Sequence, residues 1–135
     1  MKNTTDNTTH AHIIEAERYL SNAREILSEK AGKIGRFYSD KKYVRMAGNT
    51  AWNGILEAID GTFNVRDSMK KNQRPDIKDY QQIIGKRDQS KLKLFNVAYD
   101  ILHKTLGYDG NLNVVVVQEG LSEAEELIKW CEGVS

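Results

Sequence analysis

The chain has little of several things, and each shortage excludes something. It has one cysteine, Cys131, among 135 residues. A single thiol closes no disulfide within the chain, so a cross-linked secreted framework is excluded. It has one proline, Pro75, and 8% aromatic residues. It has no apolar run near the ~20 residues that a membrane-spanning helix needs, and its start, MKNTTDNTTHAH, lacks the apolar stretch of a signal peptide. These shortages point to a cytoplasmic protein without a membrane segment. The two Asn-x-Thr matches at Asn3 and Asn7 then carry no glycan, and residues 1–9 read as a disordered polar tail. Phosphate loops, nucleophile elbows, zinc-finger spacings and dinucleotide fingerprints are also missing, so no cofactor is expected.

What is present is helical periodicity in an ordinary soluble composition, 39% hydrophobic and 29% charged. The length suits one domain, residues 10–135, able to bury a core. The net charge is +1, but the charges are unevenly placed. Residues 30–93 hold 15 Lys/Arg against 7 Asp/Glu, whereas residues 94–135 sum to −5. The basic middle can face the acidic end within the fold or in a dimer. It can also attract nucleic acid or another acidic partner.

Four segments carry the helix pattern. In the first, from about His10 to Lys30, Ile13, Ala16, Leu20, Ala23 and Leu27 line one face; Thr8 or Thr9 is the expected cap. Gly32 and Gly35 end it, and GKIGRFYSD reads as a loop leading to a cap at Ser39 or Asp40. The second, from about Asp40 to Arg66, is unusual. Ala47, Ala51, Gly54, Ala58 and Gly61 form a seam of small residues, beside a bulkier stripe of Val44, Gly48, Trp52, Ile55, Ile59 and Phe63. Glycine costs a helix about 1 kcal/mol relative to alanine. Such a seam is expected where other helices press close on more than one side. In the third, from Asp76 to about Leu106, Asp76 and Asp79 resemble a capping box. The polar stretch GKRDQSK predicts a kink, or two consecutive helices, near Gly85–Asp88. The fourth begins after LGYDGN, with Asn111 or Asn113 as its cap. Its valine run NVVVVQ would have no strand partner, so it belongs to the helix. The expected fold is all-α: an antiparallel up-and-down four-helix bundle, with the third element kinked or split to give five helices.

The groups that can carry chemistry are sparse. His10 and His12 are two apart and diverge on a helix, with no third ligand, so no metal site is expected. Asp100 and His103 are three apart and can share a face. An Asp-oriented histidine can serve as a general base or ligand, or it can simply end the helix. Arg45, Asn49, Asn53 and Glu57 form a polar line at spacings of four. That line suits a polar pocket, a hydrogen-bond network or a solvated edge. Lys70, Lys71, Arg74, Lys86, Arg87, Lys91 and Lys93 make a candidate basic patch for nucleic acid or nucleotide. Without a catalytic set, the expected role is noncatalytic association with a protein partner, foremost a second copy in a homodimer.

The segments KKYVRMAGNTAWNGILEAIDG, KLFNVAYDILHKTLGYDGN and AERYLSNAREIL resemble a family of small uncharacterised proteins of the Bacteroidetes, a domain of unknown function. The resemblance covers nearly the whole chain and implies a helical bundle, with no activity to carry over. More remotely, the helix order is similar to HEPN domains and to the substrate-binding partners of small nucleotidyltransferases. Ribonucleases of that group use Arg-x4–6-His. Here the positions that would need arginine before His103 are Asn96, Val97 and Ala98. The resemblance therefore implies a noncatalytic, partner-binding version.

Overall fold

The structure, a computed structural model, describes the backbone of residues 4–134 and side chains from His10 to Val134. The expected tail at residues 1–9 lies outside the described side chains.

Five helices follow one another: α1 (Thr4–Ile26), α2 (Lys41–Phe63), α3 (Ile77–Arg87), α4 (Gln89–Ala98) and α5 (Val114–Val134). Two of them continue as wider π-helical turns, α1 over Leu27–Ala31 and α4 over Tyr99–Leu106. Helix is already formed at Thr8 and Thr9, so neither caps α1 as expected. The other expected boundaries follow from local chemistry. The Asp40 carboxylate accepts from the Lys42 N–H and starts α2. The Asp76/Asp79 capping box is fully formed at α3. Asp88 breaks the third element, accepting from the Ser90 and Lys91 N–H groups to cap α4. Asn113 accepts from the Val115 and Val116 N–H groups, which places the valine run in α5. Each interaction satisfies amides that a helix start would otherwise leave open.

A second expectation is corrected. GKIGRFYSD is not a plain loop but contains a small hairpin, β1 (Lys33–Ile34) and β2 (Phe37–Tyr38), in antiparallel register with Lys33 opposite Tyr38 and Ile34 opposite Phe37. Its two-residue turn begins at Gly35 with φ +61°. A positive φ at the first turn position suits the tight twist of such hairpins. β2 is also tied to the start of α5: the Tyr38 N–H donates to the Leu112 carbonyl, and the Val114 N–H to the Arg36 carbonyl.

Helix α2 is the centre of the bundle and packs against α1, α5 and the π segment of α4. Ala47, Ala51, Gly54 and Ala58 of the seam are all buried. A methyl group built on Gly54 would lie 3.0 Å from the Ala16 carbonyl oxygen of α1. One built on Gly48 would lie 2.7 Å from the Leu102 carbonyl oxygen of α4. The glycines therefore serve close backbone approach to two different neighbours. Dispersion attraction between the closely apposed helices offsets their poor helix propensity.

Candidate functional site

The polar line on α2 divides among separate partners. Arg45 and Asn53 are exposed. Asn49 donates from Nδ2 to the Gly107 carbonyl at 3.3 Å, tying α2 to the turn after α4. Glu57 meets His12 Nδ1 at 3.0 Å, where the imidazole lies over Gly61. Asp100 and His103 do not bond each other. Asp100 pairs with Lys104 at 3.5 Å. His103 stacks instead on Tyr99, with ring centroids 5.4 Å apart and planes 16° apart. Lys104 Nζ also lies over the Tyr99 ring at 4.9 Å, so Asp100 and His103 share one cluster while Asn49 and Glu57 each have a separate partner.

The seven cations read as one patch are likewise spread. Lys70, Lys71 and Arg74 are exposed in the link between α2 and α3, and Lys86 and Lys93 are exposed on α3 and α4. The Arg87 guanidinium covers the Phe63 ring at 5.2 Å. Lys91 pairs with Glu126 of α5 at 3.8 Å, which is one place where the basic middle does meet the acidic end.

The structure brings together two features that sequence spacing does not show. The first is an aromatic cavity of ≈ 250 Å³ between α2, the start of α3 and the π segment of α4. Trp52 forms its floor, with its ring 5.3 Å from Tyr99 and 6.1 Å from His103. Tyr80 lines the α3 side. Its hydroxyl donates to Asp60 Oδ2 at 3.0 Å, the oxygen that Arg66 Nε also approaches at 3.3 Å. Burial, then the adjacent Asp60 carboxylate, holds the Tyr80 phenol well above its ordinary pKa. Tyr99 and His103, four positions apart, stand ring beside ring within the π-wound segment Tyr99–Leu106. Such windings are often found at functional sites.

The second feature lies at the hairpin end of the bundle. Ile34 and Phe37 face each other across the hairpin, 74% and 53% exposed, and Val115 is 73% exposed on the first turn of α5. Tyr108, in the preceding turn, is 79% exposed. Tyr38, on the opposite side of the hairpin, is buried and accepts from Gln118 Nε2 at its hydroxyl. The same end of the bundle carries Lys30, Lys33, Arg36, Lys41, Lys42 and Arg45, with Lys33 on the Tyr38 side of the hairpin. Five are placed there by contacts and one by the backbone: Lys30 and Lys42 both lie over the Tyr43 ring, Lys33 lies over Tyr38, Lys41 and Arg45 lie over Gly110, and Arg36 sits in the hairpin turn. None of the six makes an ion pair among the described residues.

Two further ionisable groups are perturbed by burial. Glu123 is only 8% exposed, its Oε1 has no hydrogen-bond partner, and burial followed by repulsion from Glu119 and Glu126 pushes its pKa up to about 7. Burial pushes the Cys131 thiol up to about 12. Among the described residues, no group of three or more His, Cys, Asp or Glu side chains could hold a metal ion.

Comparison with known proteins adds a family but no activity. A family model described as a domain of unknown function (DUF5618) matches residues 11–133. The chain is also similar to a solved structure described as a protein of unknown function from Dyadobacter fermentans. The two share 39% sequence identity with a TM-score of 0.82, over 92% of this chain and 95% of that one. No curated protein matches.

Proposed function

This chain belongs to the DUF5618 family, and from its surface we propose that it is a noncatalytic helical module that docks an acidic protein partner at the hairpin end. The observation that carries this reading is the exposed group Ile34, Phe37 and Val115 at an end of the bundle that also carries six cations without ion-pair partners among the described residues. Apolar side chains gathered on a surface and rimmed by charge are the composition of a protein interface. The cations specify the sign of the partner and speed its approach.

Charge also favours a different chain over a second copy paired through this face. A two-fold axis through the hairpin would set six cations against six, and like charges across an interface cost affinity. The acidic α5 can lie opposite it only in a head-to-tail arrangement. A noncatalytic role is supported by the spread of the polar line on α2: Arg45 and Asn53 are exposed, and Glu57 pairs with His12 rather than with Asp100 or His103.

A nucleic-acid role, and with it the HEPN-like reading, draws on the same cations and on exposed Phe37 and Tyr108. Stacking would use the two rings. It would leave Ile34 and Val115 uncovered, and that favours protein.

A photo-crosslinking residue at position 34 tests the proposal in the native cells, with the exposed position 129 of α5 as control. The expected result is one adduct with an acidic protein, absent at 129 and lost in the triple variant Lys33→Glu, Arg36→Glu, Lys41→Glu. Adducts identical at both positions, an adduct with this chain itself, or an adduct with RNA would each overturn it.

A further inference from the structure

We infer that the aromatic cavity beside Trp52 is a binding site for one flat nitrogen heterocycle of nucleobase size. The inference is independent of docking at the hairpin, which lies at other residues.

Size and shape come first. A volume of ≈ 250 Å³ accommodates one or two fused rings and little more. The walls are themselves rings: Tyr99 and His103 stand stacked at 5.4 Å, and His103 is exposed. Ring faces hold flat, polarisable ligands by stacking, beyond the area they bury.

Unfilled hydrogen-bond capacity then narrows the chemistry. Trp52 is 6% exposed and lines the cavity, yet its indole N–H has no partner among the described residues. Neither nitrogen of His103 has a hydrogen-bond partner there either. The Asp76 carboxylate, at the rim, uses Oδ1 to accept from the Asp79 N–H and leaves Oδ2 available. A donor and an acceptor beside stacked rings match a ligand that carries a ring nitrogen next to an amino or N–H group. A purely aliphatic ligand would leave the indole N–H dry and unpaired, which is costly. A cation would need an open ring cage, but Phe95 and Tyr99 already pack on Trp52 at 5.2 and 5.3 Å.

The test titrates the full 15N-labelled chain separately with adenosine, guanosine, cytidine and uridine. It follows the two indole N–H signals by NMR, assigned with Trp52→Phe. Trp130 packs on Phe63 elsewhere and serves as the internal control. The expected result is a saturable shift of the Trp52 signal with at least one nucleoside while Trp130 stays in place. His103→Ala and Asp76→Asn should each weaken binding about fivefold or more, the scale of one lost stacking or hydrogen-bonding partner. Both variants should fold, since His103 is exposed and asparagine still caps α3. The nucleosides are uncharged, so binding through this cavity persists at high salt and in the triple hairpin variant. No Trp52 shift with any of the four at millimolar concentration overturns the inference. So does wild-type affinity in both variants, or binding lost with salt or with the hairpin charges.

Discussion

Gly48→Ala opposes two effects of known sign. Alanine is the better helix former, by about 1 kcal/mol in a helix interior. Position 48 lies in the middle of α2, so propensity alone predicts stabilisation. The new methyl carbon would lie 2.7 Å from both the Leu102 carbonyl oxygen and Leu106 Cβ, and 3.0 Å from the Gly107 amide nitrogen. Even favourable C–H···O contacts keep carbon and oxygen about 3.3–3.6 Å apart. Relief requires α4 to move by roughly half an ångström, and two of the three obstacles are backbone. Overpacking of this kind costs about 1–3 kcal/mol, occasionally more. It also loosens the Trp52–Phe95 contact across the same interface. The expected net effect is destabilisation by about 1–2 kcal/mol, or several degrees in Tm for a chain of this size. Gly133→Ala supplies the control, because nothing lies within 4 Å of its added methyl; it should be neutral or slightly stabilising. Urea denaturation followed by circular dichroism measures both. A Gly48→Ala variant as stable as wild type or more stable would refute the idea that the glycine is there for close approach.

Other consequences follow from individual groups. Glu123 has its folded pKa raised from 4.5 to about 7, so between those values the folded state keeps a proton that the unfolded chain releases. Its contribution therefore declines as pH rises from about 4.5 to about 7 and stays low above that. Glu123→Gln should match wild type in stability near pH 4 and exceed it by about 1–3 kcal/mol at pH 8, measured by denaturant titration; an equal effect at both values would contradict this. Tyr80→Phe removes the donor to Asp60, whose other oxygen already lacks a partner. It should cost about 1–3 kcal/mol in the same assay, and Asp60→Asn in that background should restore part of the loss. The Cys131 thiol, buried and held up to about 12, should react with a thiol reagent only at the rate of unfolding. Fast labelling of native protein would disprove its burial.

The sequence by itself determined the helices, the cap of α3 and the break near Asp88, though not the start of α1, because these depend on chemistry within a few residues: a carboxylate three positions before an amide, or apolar side chains repeating every three or four. It also determined that α2 is central, since a seam of Gly and Ala has no use on a surface helix. The hairpin was legible too, in the Gly35–Arg36 pair between Lys-Ile and Phe-Tyr, but two-residue strands leave too short an alternation to outweigh a loop reading. Only the tertiary structure decided the polar contacts. Asp100 and His103 share a helix face by spacing, yet Lys104 takes the carboxylate and the imidazole stacks on Tyr99. Glu57 found its partner 45 positions away in His12. The aromatic cavity draws on three elements, and the apolar group at the hairpin end joins Ile34 to Val115 across most of the chain. No local pattern encodes such meetings. They are set by where packed helices leave their side chains, and the candidate sites of this protein are made of them.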